Sequence, residues 1–132
     1  MGLLPIFEYL MPCEEWTAAM QVELLGKLPP EWWARWERRS KYFAEDGQML
    51  DTNRPVWAWD FHFETAMQEW RRALGMELMS SGGKEALLAM LKPMLRYKPE
   101  ERCSMTDVLR SKWMNDSAML DFEKLQKQPL PS

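Results

Sequence analysis

The sequence of 132 residues has little of the chemistry that metal sites and nucleophilic enzymes need. It contains one histidine, His62, and two cysteines, Cys13 and Cys103, which lie far apart and form no CxxC motif. Zinc sites need Cys and His clustered at short spacing, so no metal centre is expected. A cysteine nucleophile would need a histidine base, and only His62 could serve. We expect free thiols in a reducing compartment.

Positive charge in excess and long apolar runs are also missing. Lys and Arg number 17 against 20 Asp and Glu, which gives a net charge of -3 and a pI of about 5.3. Such a balance creates no basic field for nucleic acid or an anionic membrane. The apolar start MGLLPIFEYLMP is short and carries Pro5 and Glu8, which fits neither a signal peptide nor a spanning helix. We expect an intracellular protein, cytoplasmic or nuclear.

Strand patterns are absent, and helical patterns are common. No segment alternates apolar and polar residues, and no internal repeat is present. Hydrophobic residues make up 46% of the chain, which is enough for the core of one domain. We predict an all-α fold over residues 1–132, with loops longer than a simple bundle would have. Residues 126–132 are predicted to be a disordered tail.

Two helices are predicted in the first third of the chain. The first runs from Cys13 to Leu25 and is ended by Gly26. The second runs from Pro30 to Arg39, because proline suits a first helical position. A loop is predicted across EDGQMLDTNRP. The apolar residues expected on one face of each helix are Trp16, Ala19, Met20 and Leu24 in the first and Trp32, Trp33 and Trp36 in the second.

Three more segments have helical signals. Asp60 is predicted to cap a helix that reaches about Leu74, after which SSGGK reads as a loop. Lys84 to Tyr97 is the most apolar helix, and Pro93 should kink it. Ser104 and Asp107 resemble a capping box, and SAMLDFEKLQ could add one or two turns. The buried side of the helix that Ser104 starts is predicted to hold Met105, Val108, Leu109 and Trp113.

The many large side chains and paired carboxylates have simple interpretations. Eight tryptophans and 12 methionines at helical spacing indicate core packing rather than a ligand site. The tryptophans could stack on bases, but Glu31, Glu37 and the acidic total argue against a nucleic-acid groove. The adjacent pairs Glu14-Glu15 and Glu100-Glu101 point in different directions, so solvated surface is favoured over acid-base chemistry.

Three stretches together resemble a known family. The stretch LLAMLKPMLRYKPEERCSMTDVLRSKWM places Pro99 and Arg102 in a turn between two apolar helices, with Trp113 near the end. It resembles the last conserved block of the eukaryotic protein kinase C-lobe. MQVELLGKLPPEWWARWERRSKYFAEDG and WDFHFETAMQEWRRALGME resemble later C-lobe segments of fungal relatives of the serine/arginine-protein kinases. The resemblance covers about Phe7 to Phe122 and implies a partial C-lobe made of helices after the activation segment.

The motifs of phosphoryl transfer do not occur in the sequence. Kinases need a Gly-rich loop, a strand lysine, an HRD-type loop and a DFG aspartate that holds magnesium. The pair Gly82-Gly83 is not followed by GK[ST], and Asp60-Phe61 is followed by His62 rather than glycine. No catalytic, cofactor-binding or metal-binding residue is therefore assigned. ATP and magnesium would belong only to a catalytic part that these residues lack.

Arg102 carries the most specific expectation of the resemblance. In the family this arginine pairs with a buried glutamate that would precede Met1. A buried guanidinium without its partner costs on the order of 3 to 5 kcal/mol. Arg102 should therefore find another acid, reach water or weaken the domain. The acids considered are Glu14, Glu15 and Glu64, and a solvent-exposed Arg102 is the alternative.

Three hypotheses of function follow. The first is a truncated or degenerate kinase-like domain, a pseudokinase fragment of a Ser/Thr kinase family, without phosphotransfer of its own. The second is a non-catalytic helical module that binds another protein through an apolar face. The third is a piece of an active kinase whose first part is missing from this sequence. The face expected in the second hypothesis comprises Leu87, Leu91, Met94 and Trp113.

Overall fold

A computed structural model describes residues 14–127 of the chain. The stretch MGLLPIFEYLMP, Cys13 and residues 128–132 lie outside the described residues, and the predictions made for them stay predictions. Within 14–127 the regular structure is helical; no β-strand forms, and Phe43 and Met49 make one isolated antiparallel bridge. The all-α prediction is confirmed at this level. The chain divides into two compact units, Met1–Leu78 and Met79–Ser132. The single-domain prediction stays a prediction.

Helix α1, Glu14–Leu25, forms where it was predicted. Gly26 follows it with a φ of 92°, a left-handed conformation that favours glycine and ends the helix. The buried side of α1 also includes Val22, which the predicted face omitted. The buried residues of α1 are Ala19, Met20, Val22 and Leu24.

Helix α2, Pro30–Arg35, is shorter than predicted. Trp36 has a ψ of 88° and leaves the helical region, and Glu37–Lys41 then form a 3₁₀ turn. The prediction that the helix extends to Arg39 is wrong because Trp36 turns to pack edge-on against Trp33, with ring centroids 6.1 Å apart. Trp32 is 39% exposed, so it does not share the buried face with Trp33.

The core of the first unit is built largely from aromatic rings. Trp33 and Phe43 are buried and lie 5.9 Å apart between ring centroids. Tyr42 stacks on Trp36 at 6.1 Å. This packing supports the interpretation of the tryptophans as core residues, since offset and edge-on ring pairs add to the burial of apolar area. The buried cluster is Ala19, Val22, Trp33 and Phe43, with Trp16, Leu28, Trp36, Tyr42 and Met49 packed against it.

The third helical region consists of α3, Trp59–Phe63, a π-helical segment, Glu64–Gln68, and α4, Glu69–Ala73. The residue before α3 is Ala58, so the prediction that Asp60 caps the helix is wrong. Asp60 instead lies in the first turn, where its charge suits the positive end of the helix. Helix α4 ends at Ala73, which agrees with the predicted boundary near Leu74.

The second unit begins with α5, Ser81–Met94. The SSGGK segment was predicted to be a loop, but the Ser80 hydroxyl accepts a hydrogen bond from the Gly83 amide at 3.1 Å and starts the helix there. Helix α5 ends at Met94 rather than Tyr97, one residue after Pro93. Pro93 therefore lies in the last turn, so the backbone hydrogen bond that it cannot donate is lost close to the end of the helix rather than in its middle.

Helices α6, Met105–Leu109, and α7, Met119–Gln126, complete the second unit, with a 3₁₀ turn at Pro99–Glu101 and a π-helical segment at Met114–Ala118. The capping box is confirmed: the Asp107 amide donates to Ser104 Oγ at 3.2 Å, and the Ser104 amide donates to Asp107 Oδ2 at 2.8 Å.

The predicted buried side of α6 is wrong in most of its residues. Val108 is 7% exposed, but Met105 and Leu109 are 70% and 54% exposed, because a helix of little more than one turn buries only one position here. Trp113 is half-buried. The predicted disordered tail began at residue 126, but Gln126 belongs to α7; for residues 128–132, outside the described residues, the prediction stays a prediction.

Candidate functional site

Arg102 makes its hydrogen bonds with backbone oxygens. Its Nε donates to the Arg96 carbonyl at 2.7 Å, and a terminal nitrogen donates to the Tyr97 carbonyl at 3.3 Å. The residue is exposed. Among residues 14–127 no carboxylate pairs with it. Two alternatives were considered for Arg102, an ion pair with a replacement acid and a solvent-exposed side chain. The structure has the exposed side chain.

The acids considered as partners are engaged elsewhere or exposed. The Glu15 carboxylate accepts from Arg38, and Glu64 Oε1 lies 3.0 Å from an Arg72 nitrogen. Glu14 is exposed at the start of α1. Arg102 therefore stabilises the turn that follows α5 by donating hydrogen bonds to two of its carbonyls.

The face predicted for protein binding lies largely inside the second unit's packing. Leu87 is 4% exposed, and Leu91, Met94 and Trp113 are half-buried. The Trp113 Nε1 is buried, with no hydrogen-bond acceptor in the described part of the chain. This set contributes to packing, and the exposed apolar area of the unit lies on other residues.

We use the name C-terminal apolar surface for the exposed large apolar side chains of the second unit. None of the residues of α7 is buried. Phe122 is 53% exposed and Leu125 is 65% exposed. Sequence reasoning missed this set because it assigned Met105 and Leu109 to the core and gave α7 no role. The surface comprises Met105, Leu109, Met119, Leu120, Phe122 and Leu125.

The first unit contains a buried ion pair that the sequence did not indicate. Arg54 forms an ion pair with Glu23 of α1, and the two side chains are only 16% and 7% exposed. Glu23 also accepts a hydrogen bond from the Trp57 amide at 3.2 Å. The Arg54 guanidinium carbon lies 5.2 Å from the ring centroid of Trp16 and 6.0 Å from that of Trp57. The loop before α3 is thus fixed to α1 by charge and by cation–π contacts.

An open cavity of about 420 Å³ lies beside this ion pair. Val22, Phe43 and Met49 supply apolar walls. The carboxylates of Asp46 and Asp51 accept hydrogen bonds from the Gln48 and Asn53 amides at 2.9 and 3.0 Å, so they stabilise their own loop. The remaining lining residues are Glu23, Gly26, Lys27, Gly47, Gln48, Thr52, Arg54 and Val56.

His62 stands next to the ion pair but does not form a catalytic pair. Burial lowers the pKa of His62, and the nearby negative charge of Glu23 opposes that shift. Its ring packs edge-on against Trp57, with centroids 6.4 Å apart. Cys103 is a free thiol in the second unit. Within residues 14–127 no group of three His, Cys, Asp or Glu is arranged to hold a metal ion.

No helix in the described part of the chain has the length and apolar character to cross a membrane. No protein family, curated protein or solved structure matches the chain.

Proposed function

We propose that the chain is a non-catalytic helical module that binds another protein through its C-terminal apolar surface. The observation that carries the proposal is the exposure of α7, which buries none of its residues although it contains Met119, Leu120, Phe122 and Leu125. Apolar side chains grouped on one element of a folded unit favour a protein contact. The acidic balance of the chain favours a protein partner over nucleic acid.

The resemblance to kinases supports a second, compatible proposal. The Pro99–Arg102 turn and the capped helix after it resemble the end of a kinase C-lobe, and the sequence carries none of the phosphoryl-transfer motifs. We propose a degenerate or partial kinase-like C-lobe, from a Ser/Thr kinase family, that transfers no phosphate itself and acts in the cytoplasm or nucleus. Arg102 would then have exchanged an ion pair for backbone carbonyls.

The proposal that the chain is non-catalytic is tested by titrating the purified chain with ATP and magnesium in a calorimeter. We expect no heat of binding and no phosphate incorporation into a generic Ser/Thr substrate. Magnesium-dependent nucleotide binding would contradict it, because it would require a phosphate site that the sequence does not supply.

The proposal that the chain binds another protein is tested by affinity purification with two double variants. Phe122→Ser with Leu125→Ser removes one exposed aromatic and one exposed aliphatic side chain from α7. Val56→Ser with Leu74→Ser is the matched control, because those residues are similarly exposed, at 68% and 69%, in the other unit. Co-purifying protein should be lost with the first pair and retained with the second. Loss with both pairs would contradict a specific surface.

A further inference from the structure

We propose that Ser40 is a phosphorylation site for a protein kinase that selects serines flanked by basic residues. Its phosphate weakens the link between the 3₁₀ turn Glu37–Lys41 and α1. This modification lies in the first unit and does not depend on the C-terminal apolar surface. Three observations carry it: the exposure of the serine hydroxyl, the basic residues on both sides of it, and the acid with which those residues pair.

The hydroxyl of Ser40 is accessible and unengaged. Ser40 is exposed in a turn that has no buried residue. Within residues 14–127 its hydroxyl makes no hydrogen bond. Short 3₁₀ segments have poorer hydrogen-bond geometry than α-helices, so the turn opens at low cost when an enzyme holds it extended. Ser40 therefore meets the steric requirements of a kinase substrate.

The charges next to Ser40 distinguish it from the other serines and threonines. Arg38 and Arg39 precede it, and Lys41 follows it. No other serine or threonine in the sequence has two basic residues directly before it. A kinase with an acidic substrate groove recognises such a run by complementary charge.

Two other serines have one arginine nearby, but their hydroxyls are engaged. Ser104 has an arginine two positions before it, and its hydroxyl donates to Asp107 Oδ2 at 2.6 Å. Ser111 has an arginine directly before it, and its Oγ accepts a hydrogen bond from the Met114 amide at 3.3 Å. These two serines are internal controls for the selectivity of the modification.

The basic neighbours of Ser40 tie the turn to α1 through Glu15. Arg38 forms an ion pair with the Glu15 carboxylate, and Lys41 Nζ lies 3.9 Å from Glu15 Oε2. A phosphate on Ser40 carries a charge of about -1.5 to -2 at pH 7 and pairs strongly with arginine. It competes with Glu15 for both cations and repels the Glu15 carboxylate. Phosphorylation therefore loosens the contact between the turn and α1.

The reaction is a phosphoryl transfer performed by a separate kinase with ATP. A bond forms between Ser40 Oγ and the γ-phosphorus while the bond from that phosphorus to the bridging oxygen of ADP breaks. The hydroxyl proton passes to the catalytic base of the kinase. This chain supplies only the acceptor hydroxyl and the charges that position it.

Incubation of the full chain with ATP, magnesium and a purified kinase that prefers basic residues on both sides of serine tests the site. Peptide mass spectrometry should find phosphate at Ser40 and little at Ser104 or Ser111. Arg38→Gln should slow the modification by about tenfold, because the kinase loses a charged contact. Arg72→Gln, at a similarly exposed ion-paired arginine, should leave the rate unchanged. No phosphate at Ser40, or equal modification of the three serines, overturns the site.

Thermal denaturation tests the effect of the phosphate on the contact with α1. Phosphorylation should lower the Tm by about 2 to 4 °C. In Glu15→Gln the ion pairs with Arg38 and Lys41 are already absent, so phosphorylation should leave the Tm unchanged or raise it. An equal fall in the wild type and the variant, or no fall in the wild type, overturns the competition with Glu15. Circular dichroism of each variant checks that helix content is retained.

Discussion

Arg54 pairs with Glu23 across the base of the loop that precedes α3, and both side chains are largely withdrawn from water, at 16% and 7% exposure. The Arg54 guanidinium lies close to both the Trp16 and the Trp57 rings, and Glu23 accepts a hydrogen bond from the Trp57 amide. Removing one partner of such a pair leaves a charge buried without compensation, and this cost exceeds the net value of the pair itself.

Arg54→Ala should therefore lower the free energy of unfolding by about 3 to 5 kcal/mol, because the Glu23 carboxylate would lose its cation while remaining buried. Urea denaturation followed by tryptophan fluorescence measures the change. Arg72→Ala is the matched control: its pair with Glu64 is half exposed, at 55% and 51%, so the loss should be about 1 kcal/mol or less. Equal losses of unfolding free energy in the two variants would show that burial does not make the Arg54 pair more important than the exposed Arg72 pair.

The stability of the first unit should fall as pH is lowered through the titration of His62. Burial lowers the pKa of His62 below 6.5, so the unfolded chain binds a proton at a higher pH than the folded chain does. The stabilisation that comes from keeping His62 neutral is fully present above pH 6.5, the ordinary histidine pKa. It is lost as the pH falls toward the pKa of His62 in the folded chain. Unfolding free energies measured from about pH 8 to about pH 5.5 should show this decline.

His62→Gln should flatten that part of the pH profile, because His62 is the only histidine in the sequence. An unchanged slope between about pH 7 and 6 in the variant would assign the pH dependence to other groups. A proton NMR titration of the imidazole in the wild-type chain gives an independent reading of the folded pKa.

The two glycines in the first turn of α5 should respond differently to alanine. A Cβ at Gly82 would meet nothing within 4 Å, whereas a Cβ at Gly83 would lie 2.8 Å from Cγ of Met79. Gly82→Ala should raise the free energy of unfolding by about 0.5 to 1 kcal/mol, since alanine loses less conformational entropy in a helix. Gly83→Ala should raise the free energy of unfolding by less than Gly82→Ala does, or should lower it. Thermal denaturation of both variants makes the comparison, and a larger gain at Gly83 would contradict the packing of Met79.

Arg102→Ala should cost about 0.5 to 1.5 kcal/mol, as expected for the loss of hydrogen bonds to the Arg96 and Tyr97 carbonyls at an exposed site. Arg102→Lys should recover only part of this, because an ammonium cannot reproduce the forked geometry. A loss of about 3 to 5 kcal/mol would instead indicate a buried charge pair, as in the kinase resemblance. Chemical denaturation distinguishes the two ranges.

Local signals made some elements predictable from the sequence. Gly26 ended α1, and the Ser104–Asp107 capping box started α6, because these features depend on residues a few positions apart. The start of α5 at Ser81 was missed because Gly82 and Gly83 read as helix breakers, while the Ser80 cap stabilised the turn.

Contacts between distant segments could not be predicted in this way. Arg54 and Glu23 are 31 positions apart, and nothing in the local pattern of either residue indicates the pair. The same holds for exposure: Met105 and Leu109 have a buried-face spacing, yet α6 buries only Val108. Helical period identifies which residues share a face, but the packing of neighbouring elements decides which face is covered.

Site-specific photocrosslinking in intact cells tests most directly that α7 is a protein-binding surface. A photoreactive phenylalanine analogue replaces Phe122 in one chain and Val56 in another, both of which are more than half exposed. We predict a discrete crosslinked species at position 122 and none at position 56. No adduct at position 122, or the same adducts at both positions, would contradict a specific protein-binding role for the C-terminal apolar surface.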